Sequence, residues 1–318
     1  MQTDEIKIIE KSLPSADGVH TLRGVVYMPA STQAGKPAGI LQIVHGMTEY
    51  IGRYHRFMAD MAAAGWLVCG HDHLGHGRTS DPADWGFIAR KGGWELLCRD
   101  AAAFGEAVRA EYEGQFGRLP LTLMGHSMGS FVARLTAERY VRPGALAGLI
   151  VMGTGGPNPA AGAGIALSGL IRALRGERHV SKLLDAMAFG GYNKPFAAED
   201  DPYAWLTNDR GVRDAYRADP MCTFPFTVSA MGDLIRLTKY ANRGAWFKNI
   251  PADLPILLVS GQNDPVGGIG KGVETVHRRL ERAGKDVTCR IYEGARHEIL
   301  NDACYETVLG DIQDFLAK

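Results

Sequence analysis

The feature that most constrains this chain is the segment 119–134, in which an apolar run ends in Gly125-His126-Ser127-Met128-Gly129. Residues 121–124 suit a buried strand, and from Phe131 onward the apolar residues recur at helical spacing. A strand that turns so tightly into a helix needs a strained residue at its tip. Glycines on either side avoid collisions with the neighbouring strand and helix. The segment therefore predicts a nucleophile elbow that exposes Ser127 at the start of a helix.

The elbow interpretation competes with a plainer one, in which a glycine-rich turn carries an idle serine. A chain with 40 glycines forms Gly-x-Ser-x-Gly strings easily, yet the pattern occurs once here, between a strand pattern and a helix pattern. The N–H groups at the start of a helix are free and favour negative charge. Under the elbow interpretation, this one segment supplies a nucleophile and half of an oxyanion site.

Length and composition narrow the class of protein. A chain of 318 residues holds one large domain, or one domain with a substantial insertion. Its 35 basic and 35 acidic residues balance, so charge gives no reason to expect nucleic acid as a partner. The acidic residues 1–5 do not open a signal peptide, and no apolar stretch of about 18 residues predicts a membrane span. Five cysteines without close spacing argue against a disulfide framework, and together these features predict a cytoplasmic protein.

Strand patterns and helix patterns alternate along most of the chain, which is typical of a mostly parallel sheet with helices on both faces. Strands are predicted at 6–13, 22–28, 39–44, 66–69, 121–124, 146–152, 256–259 and 287–292. Helices are predicted at 53–64, 94–112, from the elbow to 140, at 272–283 and at 304–316, with a turn at 15–18 and a Pro/Gly/Ser-rich link at 29–37. Loops that follow parallel strands gather at one edge of a sheet, where ligands bind in such folds.

The alternation stops near Gly153 and resumes near Pro255. The segment between them carries two apolar helix patterns, at 165–174 and 182–189, followed by a part with several aromatic residues and prolines. Because this segment lies between two strands, we expect it to rise from the edge that holds the site and to cover the site as a cap. The predicted organisation is a first core part (1–154), a cap or lid (155–245) and a second core part (246–318). A simple packing extension of the core is the alternative.

Two later loops hold side chains that would complete the chemistry of Ser127. An alcohol is a weak nucleophile at neutral pH, so it needs a base within hydrogen-bond reach, and the base needs an orienting group. His297 follows the last predicted strand, and Asp264 follows the strand before it. We therefore predict that Ser127 attacks a carbonyl carbon, that His297 carries its proton and that Asp264 orients the imidazole. Helix capping is an alternative role for Asp264, with Asp233 or Asp253 in its place as the orienting group.

The oxyanion that forms during such an attack needs hydrogen-bond donors fixed in advance. The backbone N–H of Met128, directly after the serine, points into the space where the charge develops. The loop after the strand at 39–44 should provide a second donor, for which the N–H of Met47 is the candidate. Loss of one such donor typically costs about 3–4 kcal/mol in the transition state. Because backbone atoms act here, the two methionine side chains are free to vary.

Three further groups of residues invite other interpretations. His71, His73 and His76 have the short spacing of zinc ligands, but no nearby acid or cysteine completes a convincing set, so we favour a structural loop without metal. Glu49 is either a second catalytic carboxylate or an anchor for its own loop or the cap. Cys222 is a thiol near the pocket or, like most lone cysteines, an inert apolar side chain. No phosphate-binding glycine fingerprint follows the first α/β strand, so no cofactor is predicted.

With these motifs placed, the chain resembles the α/β-hydrolases, and within them the group of monoglyceride lipases and bacterial lysophospholipases. The resemblance spans both core parts and is weak across 155–245. It rests on the segments 45–49 (HGMTE) with 52–54 (GRY), 71–78 (HDHLGHGR), 125–130 (GHSMGS), 264–266 (DPV) and 294–298 (GARHE). In that family the residues that match Ser127, Asp264 and His297 form the catalytic triad, and those that match Met47 and Met128 give the oxyanion hole.

The resemblance implies a substrate class, the ester of a medium or long acyl chain of the monoacylglycerol or lysophospholipid type, cleaved through an acyl-enzyme. The same triad also suits small esters, amides or peptides, and acyl transfer to an acceptor other than water. Haloalkane dehalogenases and epoxide hydrolases are disfavoured, because those relatives use an aspartate where Ser127 stands. A non-catalytic ligand receptor with this fold is a further alternative. The pair Met47-Thr48 departs from the small residues often found at these positions, which bears on the shape of the oxyanion loop.

The predicted cap contains an apolar stretch, 165–171, that could contact either a lipid surface or the core. Amphipathic caps touch lipid surfaces, so a transient membrane contact is one expectation, and packing onto the core is the other. The expected partner in the site is a small acyl ester. The sequence leaves the oligomeric state open.

Overall fold

The computed structural model describes residues 6–29 and 35–318, in which eight strands form one sheet in the order β1-β2-β4-β3-β5-β6-β7-β8. The strands are β1 (Lys7–Pro14), β2 (Thr21–Met28), β3 (Ile40–Val44), β4 (Leu67–His71), β5 (Leu121–His126), β6 (Gly148–Met152), β7 (Ile256–Gly261) and β8 (Val287–Tyr292). Residues 1–5, the acidic start at which no signal peptide is predicted, lie outside the described residues. Most of the predicted link at 29–37 lies outside them as well.

Ten α-helices accompany the sheet within the described residues. They are α1 (His55–Ala63), α2 (Gly93–Phe116), α3 (Met128–Arg139), α4 (Ala161–Arg175), α5 (Lys182–Phe189), α6 (Arg210–Ala218), α7 (Val228–Ala241), α8 (Gly244–Asn249), α9 (Lys271–Arg282) and α10 (Tyr305–Leu316). The predicted strands are confirmed with small shifts at their ends, as are α1, α3, α9 and α10, whereas α2 runs a turn longer than predicted. None of the helices in the described part of the chain has both the length and the apolar character needed to cross a membrane.

The sheet is mostly parallel, as predicted. β3 to β8 run parallel, while β1 and β2 form an antiparallel hairpin whose second strand pairs antiparallel with β4. Gly18 has a φ of 73° in the hairpin turn, a conformation that glycine adopts without strain. The strands β3 to β7 are buried along their whole length. This burial is expected for parallel strands that helices cover on both faces.

Two apolar clusters hold the helices against the two faces of the sheet. Consecutive strand residues point to opposite faces. Leu123 therefore joins the cluster that contains residues of α2, α3 and α9, and Met124 joins the cluster that contains residues of α1 and α10. Full burial of a side chain of this size stabilises the fold by about 1.5–3 kcal/mol. The sheet that carries the site is thus fixed by packing from both sides.

The carboxyl ends of the parallel strands meet at one edge of the sheet, as predicted, and carry the loops that matter for function. The loop that contains Met47 follows β3, and the elbow follows β5. Asp264 and His297 follow β7 and β8 within a few residues. Strand packing therefore brings distant parts of the sequence to one place.

Five helices, α4 to α8, lie in the segment between β6 and β7. α4 and α5 contain the two helix patterns that the sequence predicts, whereas α6, α7 and α8 are not predicted. α7 packs on α2 and α3, and its residues Met231 and Leu237 belong to the same apolar cluster as those helices. Part of the segment therefore extends the core, and other parts line a cavity above the strand ends.

Candidate active site

Ser127 occupies a tight turn between β5 and α3, with φ 54° and ψ −121°. A non-glycine residue with positive φ is uncommon, and this one is held by its surroundings. The glycines let the turn pack closely: a Cβ on Gly125 would overlap the carbonyl oxygen of Gly129, and a Cβ on Gly129 would overlap that of Val44. The N–H of Ser127 donates to the carbonyl oxygen of Met152 in β6 at 3.0 Å. The structure therefore has the strand–turn–helix geometry that the motif predicts.

Asp264 and His297 form a buried pair beyond the ends of β7 and β8. Nδ1 of His297 lies 3.0 Å from Oδ1 of Asp264. The carboxylate also accepts the N–H of Val266 at 2.8 Å and the hydroxyl of Ser260 at 3.3 Å. Burial raises the pKa of the Asp264 carboxyl, but the facing imidazole and the backbone donor outweigh burial, so this pKa lies below its usual value. An ionised Asp264 favours the proton of His297 on Nδ1 and leaves Nε2 free as an acceptor.

The two alternative aspartates lie elsewhere. Oδ2 of Asp233, on α7, accepts the N–H of Gly93 at 3.1 Å at the start of α2. Burial raises the pKa of Asp233 to about 6. Asp253 is exposed in the loop before β7. Of the three aspartates, Asp264 is the one that contacts His297.

Ser127 and His297 line the same cavity. The imidazole of His297 lies between two other rings, with its centroid 4.7 Å from that of His126 and 5.1 Å from that of Trp205. Among the described residues, the hydroxyl of Ser127 makes no hydrogen bond with His297. Hydrogen bonds of this type are often long until a substrate is bound. The structure thus brings the three predicted side chains to one site and fixes the orientation of the imidazole.

The two amides predicted to face the oxyanion lie beside the same cavity. Met128 is the first residue of α3, where an N–H has no partner within the helix. Met47 follows β3, and its N–H donates to no atom of the described chain. Both methionines line the cavity together with Ser127. Oε1 of Glu49 accepts the N–H of Gly46, which fixes the start of the loop.

A buried network of charged side chains, which no sequence motif predicts, includes His126, the residue before the nucleophile. Oε1 of Glu49 lies 3.2 Å from Nδ1 of His126 and accepts the hydroxyl of Tyr54 at 2.9 Å. Arg53 contacts Glu49 at 3.3 Å and donates two hydrogen bonds, of 2.5 and 2.8 Å, to Glu298. Burial raises the pKa of Glu49, but His126 and Arg53 outweigh burial and lower this pKa to about 2. The network therefore contains an ionised carboxylate that contacts Arg53 and His126.

This network connects three loops of the site. Glu49 follows β3, His126 precedes the nucleophile, and Glu298 follows His297. These contacts match the anchoring role, one of the two roles that the sequence suggests for Glu49. The one sequence feature that indicates the network is the spacing of Glu49 and Arg53, four residues apart beside the predicted oxyanion loop.

The histidines considered as zinc ligands are fully buried near the site, together with His45. The N–H of His73 donates to Nε2 of His45 at 2.9 Å, and Nδ1 of His76 lies 3.0 Å from the carbonyl oxygen of Leu74. Burial lowers the pKa of His76 to about 4 and that of His71 to about 3, so these rings are neutral at neutral pH. Within residues 6–29 and 35–318, no three His, Cys, Asp or Glu side chains are placed to hold a metal ion. The rings pack the loop after β4 against the loop after β3.

A cavity of about 650 Å³ is lined by Ser127, by His297 and by many residues of the segment between β6 and β7. Its volume lies within the range of about 300–1,000 Å³ that is typical of small-molecule sites. Apolar side chains of α5 and α7 line one part of it, namely Leu184, Met187, Phe189, Met231, Leu234 and Ile235. Cys222 lines it as well, and burial raises the pKa of its thiol, which disfavours the reactive thiolate. The arrangement suits a ligand with a long apolar part whose reacting group reaches Ser127.

Residues 35–303 match the family described as serine aminopeptidase, S33. The monoacylglycerol lipase of Mycolicibacterium smegmatis is 29% identical over 291 residues, which cover 89% of this chain and 89% of the relative. The monoglyceride lipase of Homo sapiens is 26% identical over 265 residues, which cover 83% of this chain and 76% of the relative.

Solved structures show the same fold. A thermostable carboxyl esterase from Bacillus coagulans, in complex with glycerol, has a TM-score of 0.85 and 28% identity, with coverage of 98% of this chain and 100% of that chain. A soluble variant of monoglyceride lipase from Saccharomyces cerevisiae, in complex with a substrate analog, has a TM-score of 0.76 and 20% identity, with coverage of 99% and 96%. These similarities confirm the predicted α/β-hydrolase fold.

Proposed function

Because the chain belongs to the serine aminopeptidase S33 family of α/β-hydrolases and is a carboxylic ester hydrolase, we propose that it cleaves monoacylglycerol-type esters through an acyl-enzyme on Ser127. One observation carries this proposal. Ser127 and His297 line the same largely apolar cavity, and Nδ1 of His297 lies 3.0 Å from Oδ1 of Asp264. The names of the similar proteins, monoacylglycerol lipase and monoglyceride lipase, support the substrate class.

The reaction proceeds in two halves on this arrangement. Oγ of Ser127 attacks the ester carbonyl carbon while Nε2 of His297 takes the hydroxyl proton. The C–O bond to the alcohol then breaks, the alcohol leaves with the proton from His297, and the acyl group stays on Ser127. Water attacks the acyl-enzyme in the same manner and releases the fatty acid. Asp264 stabilises the imidazolium, and the N–H groups of Met47 and Met128 bind the oxyanion in both halves.

We further propose that residues 155–245 act as a cap that selects the acyl chain. Apolar side chains of α5 and α7 supply the wall of the cavity, and both helices lie in this segment. An acyl chain that removes these side chains from water gains about 0.8 kcal/mol for each buried CH₂ group. Selectivity for chain length should therefore reside in this segment, and the chemistry in the loops of the core.

Active-site labelling tests the proposed nucleophile. A fluorophosphonate probe should label the wild-type protein, and Ser127→Ala should abolish the labelling and lower kcat about 10⁴-fold or more. Ser12→Ala is the matched control, because Ser12 is exposed on β1, away from the cavity. A folded wild-type protein that resists the probe would contradict the acyl-enzyme mechanism.

The second arm of the same test uses a panel of substrates: p-nitrophenyl esters of increasing acyl length, a 1-monoacylglycerol, a lysophosphatidylcholine and a peptide p-nitroanilide. The proposal predicts that kcat/KM rises from acetyl to medium or long chains and that the monoacylglycerol is hydrolysed faster than the anilide. Preference for the shortest ester would indicate a general esterase. Faster cleavage of the anilide would indicate a peptidase.

A further inference from the structure

Thr48 lies directly after Met47 in the proposed oxyanion loop and has a φ of 50°. This is the left-handed region, in which a β-branched residue is a clear outlier because its side chain crowds its own backbone. Such a conformation persists only where surrounding contacts hold it. A change of φ at Thr48 would turn the preceding peptide group and, with it, the neighbouring Met47. The contacts of Thr48 therefore bear on the direction of the proposed oxyanion donor.

The main contact comes from Tyr216 on α6, 168 residues further along the chain. The hydroxyl of Tyr216 donates to the carbonyl oxygen of Thr48 at 3.0 Å and lies 2.8 Å from Oγ1 of Thr48. On the other side of the residue, the N–H of Thr48 donates to Nε2 of the buried His76 at 3.3 Å. One tyrosine of the segment between β6 and β7 thus contacts both the backbone and the side chain of the strained residue.

Tyr216 is itself held firmly. The guanidinium of Arg53 lies 4.9 Å from the centre of its ring, and the ring of Tyr203 lies 5.1 Å away, so its position is fixed by two neighbours. Arg53 is fixed in turn by Glu298 and Glu49. The tyrosine is 7% exposed, and burial raises the pKa of its phenol, so the hydroxyl stays protonated as a donor. Tyr216 therefore contacts Thr48 from a position that its own neighbours fix.

We propose that Tyr216 is a positioning residue that holds Thr48 in the left-handed conformation and thereby directs the N–H of Met47 toward the oxyanion. The inference rests on the proposed function, since it concerns the oxyanion site of the same reaction. It gives α6 a role in the chemical step as well as in covering the cavity. A glycine at position 48 adopts positive φ without strain, so it should make the hydroxyl of Tyr216 dispensable.

The test measures the effect of Tyr216→Phe in three backgrounds: wild type, Thr48→Gly and Thr48→Ala. Both background variants remove the hydroxyl and the methyl group of the threonine. Alanine keeps the Cβ, which disfavours positive φ, whereas glycine has none. With p-nitrophenyl acetate, whose acyl group is too short to reach the apolar wall, Tyr216→Phe should lower kcat about 10- to 100-fold with KM within about twofold. The same loss should occur in the alanine background. In the glycine background the loss should shrink to less than about twofold.

Tyr240→Phe is the matched control, because it removes a tyrosine hydroxyl from α7, where the ring packs on Trp94 away from the cavity. It should leave kcat unchanged, and thermal unfolding should show that all variants are folded. An equal loss of kcat in the alanine and glycine backgrounds would overturn the proposal, as would a change in KM with no change in kcat. These outcomes differ from a failure of the proposed function, in which the wild-type protein would not react with the fluorophosphonate at Ser127.

Discussion

At the scale of single residues, Asp264 acts in the proposed mechanism through one hydrogen bond, the 3.0 Å contact between its Oδ1 and Nδ1 of His297. An asparagine keeps the shape of this side chain, but its amide group can face Nδ1 and favour the tautomer with the proton on Nε2. That tautomer cannot accept the proton of Ser127. We predict that Asp264→Asn lowers kcat about 10⁴-fold, measured by steady-state hydrolysis of a p-nitrophenyl ester.

The matched control is Asp253→Asn, because Asp253 is an exposed aspartate in the loop before β7. This variant should hydrolyse the ester at the wild-type rate. An Asp264→Asn enzyme that keeps wild-type kcat would show that Asp264 does not orient the base. A loss with Asp253→Asn instead would move that role to a residue that does not contact His297 in the structure.

The candidate catalytic residues are predictable from the sequence because each follows a short predicted strand of a parallel sheet, and the carboxyl ends of such strands meet at one edge. The contacts of Arg134 are an example of what cannot be predicted from the order of the strands. Arg134 is fully buried in α3, where its guanidinium lies 3.3 Å from Oγ1 of Thr154 and 3.3 Å from Oδ1 of Asn242, and 4.2 Å from the ring of Trp246. Burial lowers its pKa to about 9. Asn242 and Trp246 lie about a hundred residues after Arg134 in the sequence. Local periodicity contains no information about contacts over such a separation.

At the scale of elements, the same limit explains why α6 is not predicted. Strands β3 to β7 are predictable because burial on both faces makes them short apolar runs. α6 buries only Arg213 and Tyr216. It is held by polar contacts across the segment, such as those of Arg213 with Glu199 at 2.6 Å and with Asp201 at 3.4 Å. α6 has nine residues, four of them charged, so its few apolar residues are too few for a periodicity analysis to identify a helix.

The predicted membrane contact also belongs to this scale. Leu170 and Leu174 on α4 are 58% and 73% exposed, and Leu183 on α5 is 56% exposed, so the segment between β6 and β7 presents apolar side chains to its surroundings. A lipid surface would remove these side chains from water. We predict that the double substitution Leu170→Asp with Leu174→Asp lowers the fraction bound to phosphatidylcholine vesicles about tenfold, measured by co-sedimentation.

Hydrolysis of a soluble p-nitrophenyl ester should be unchanged in this double variant, since neither leucine lines the cavity. Val19→Asp is the control for a general effect of added charge, because Val19 is 82% exposed in the turn between β1 and β2. Unchanged co-sedimentation of the double variant would exclude the α4 surface as the site of lipid contact.

At the scale of the whole molecule, buried charges join loops that the fold brings together from distant parts of the chain. Glu49 and His126 link the loop after β3 to the elbow, and Arg53 links both to Glu298 beside the candidate base. Removal of one partner from a buried ion pair leaves the other charge without compensation, which typically destabilises a protein by about 3–5 kcal/mol. The network therefore couples the geometry of the site to the stability of the fold.

The stability contributed by this network depends on pH in a defined way. Burial raises the pKa of Glu49 and lowers that of His126. Their mutual contact, together with Arg53 beside Glu49, outweighs burial, so the pKa of Glu49 falls to about 2 and that of His126 rises above 6.5. A carboxyl with a lowered pKa stabilises the fold above its unfolded pKa of 4.5 and loses this contribution as the pH falls toward 2. A histidine with a raised pKa stabilises the fold fully below 6.5 and loses this contribution as the pH rises through the folded value. The pair is therefore most stabilising between about pH 4.5 and 6.5.

We predict that Glu49→Gln lowers the free energy of unfolding by about 3 kcal/mol near pH 5.5, and by less near pH 3 and near pH 8.5, because the contribution of the pair to stability declines below pH 4.5 and above pH 6.5 in the wild type. Urea unfolding followed by tryptophan fluorescence at these three pH values measures the difference. Glu306→Gln is the control, since Glu306 forms an exposed pair with Arg56 at 2.8 Å, and such pairs contribute at most about 1 kcal/mol. A difference between wild type and Glu49→Gln that stays constant across the three pH values would indicate that Glu49 acts through packing, since only a charge pair links its contribution to proton binding.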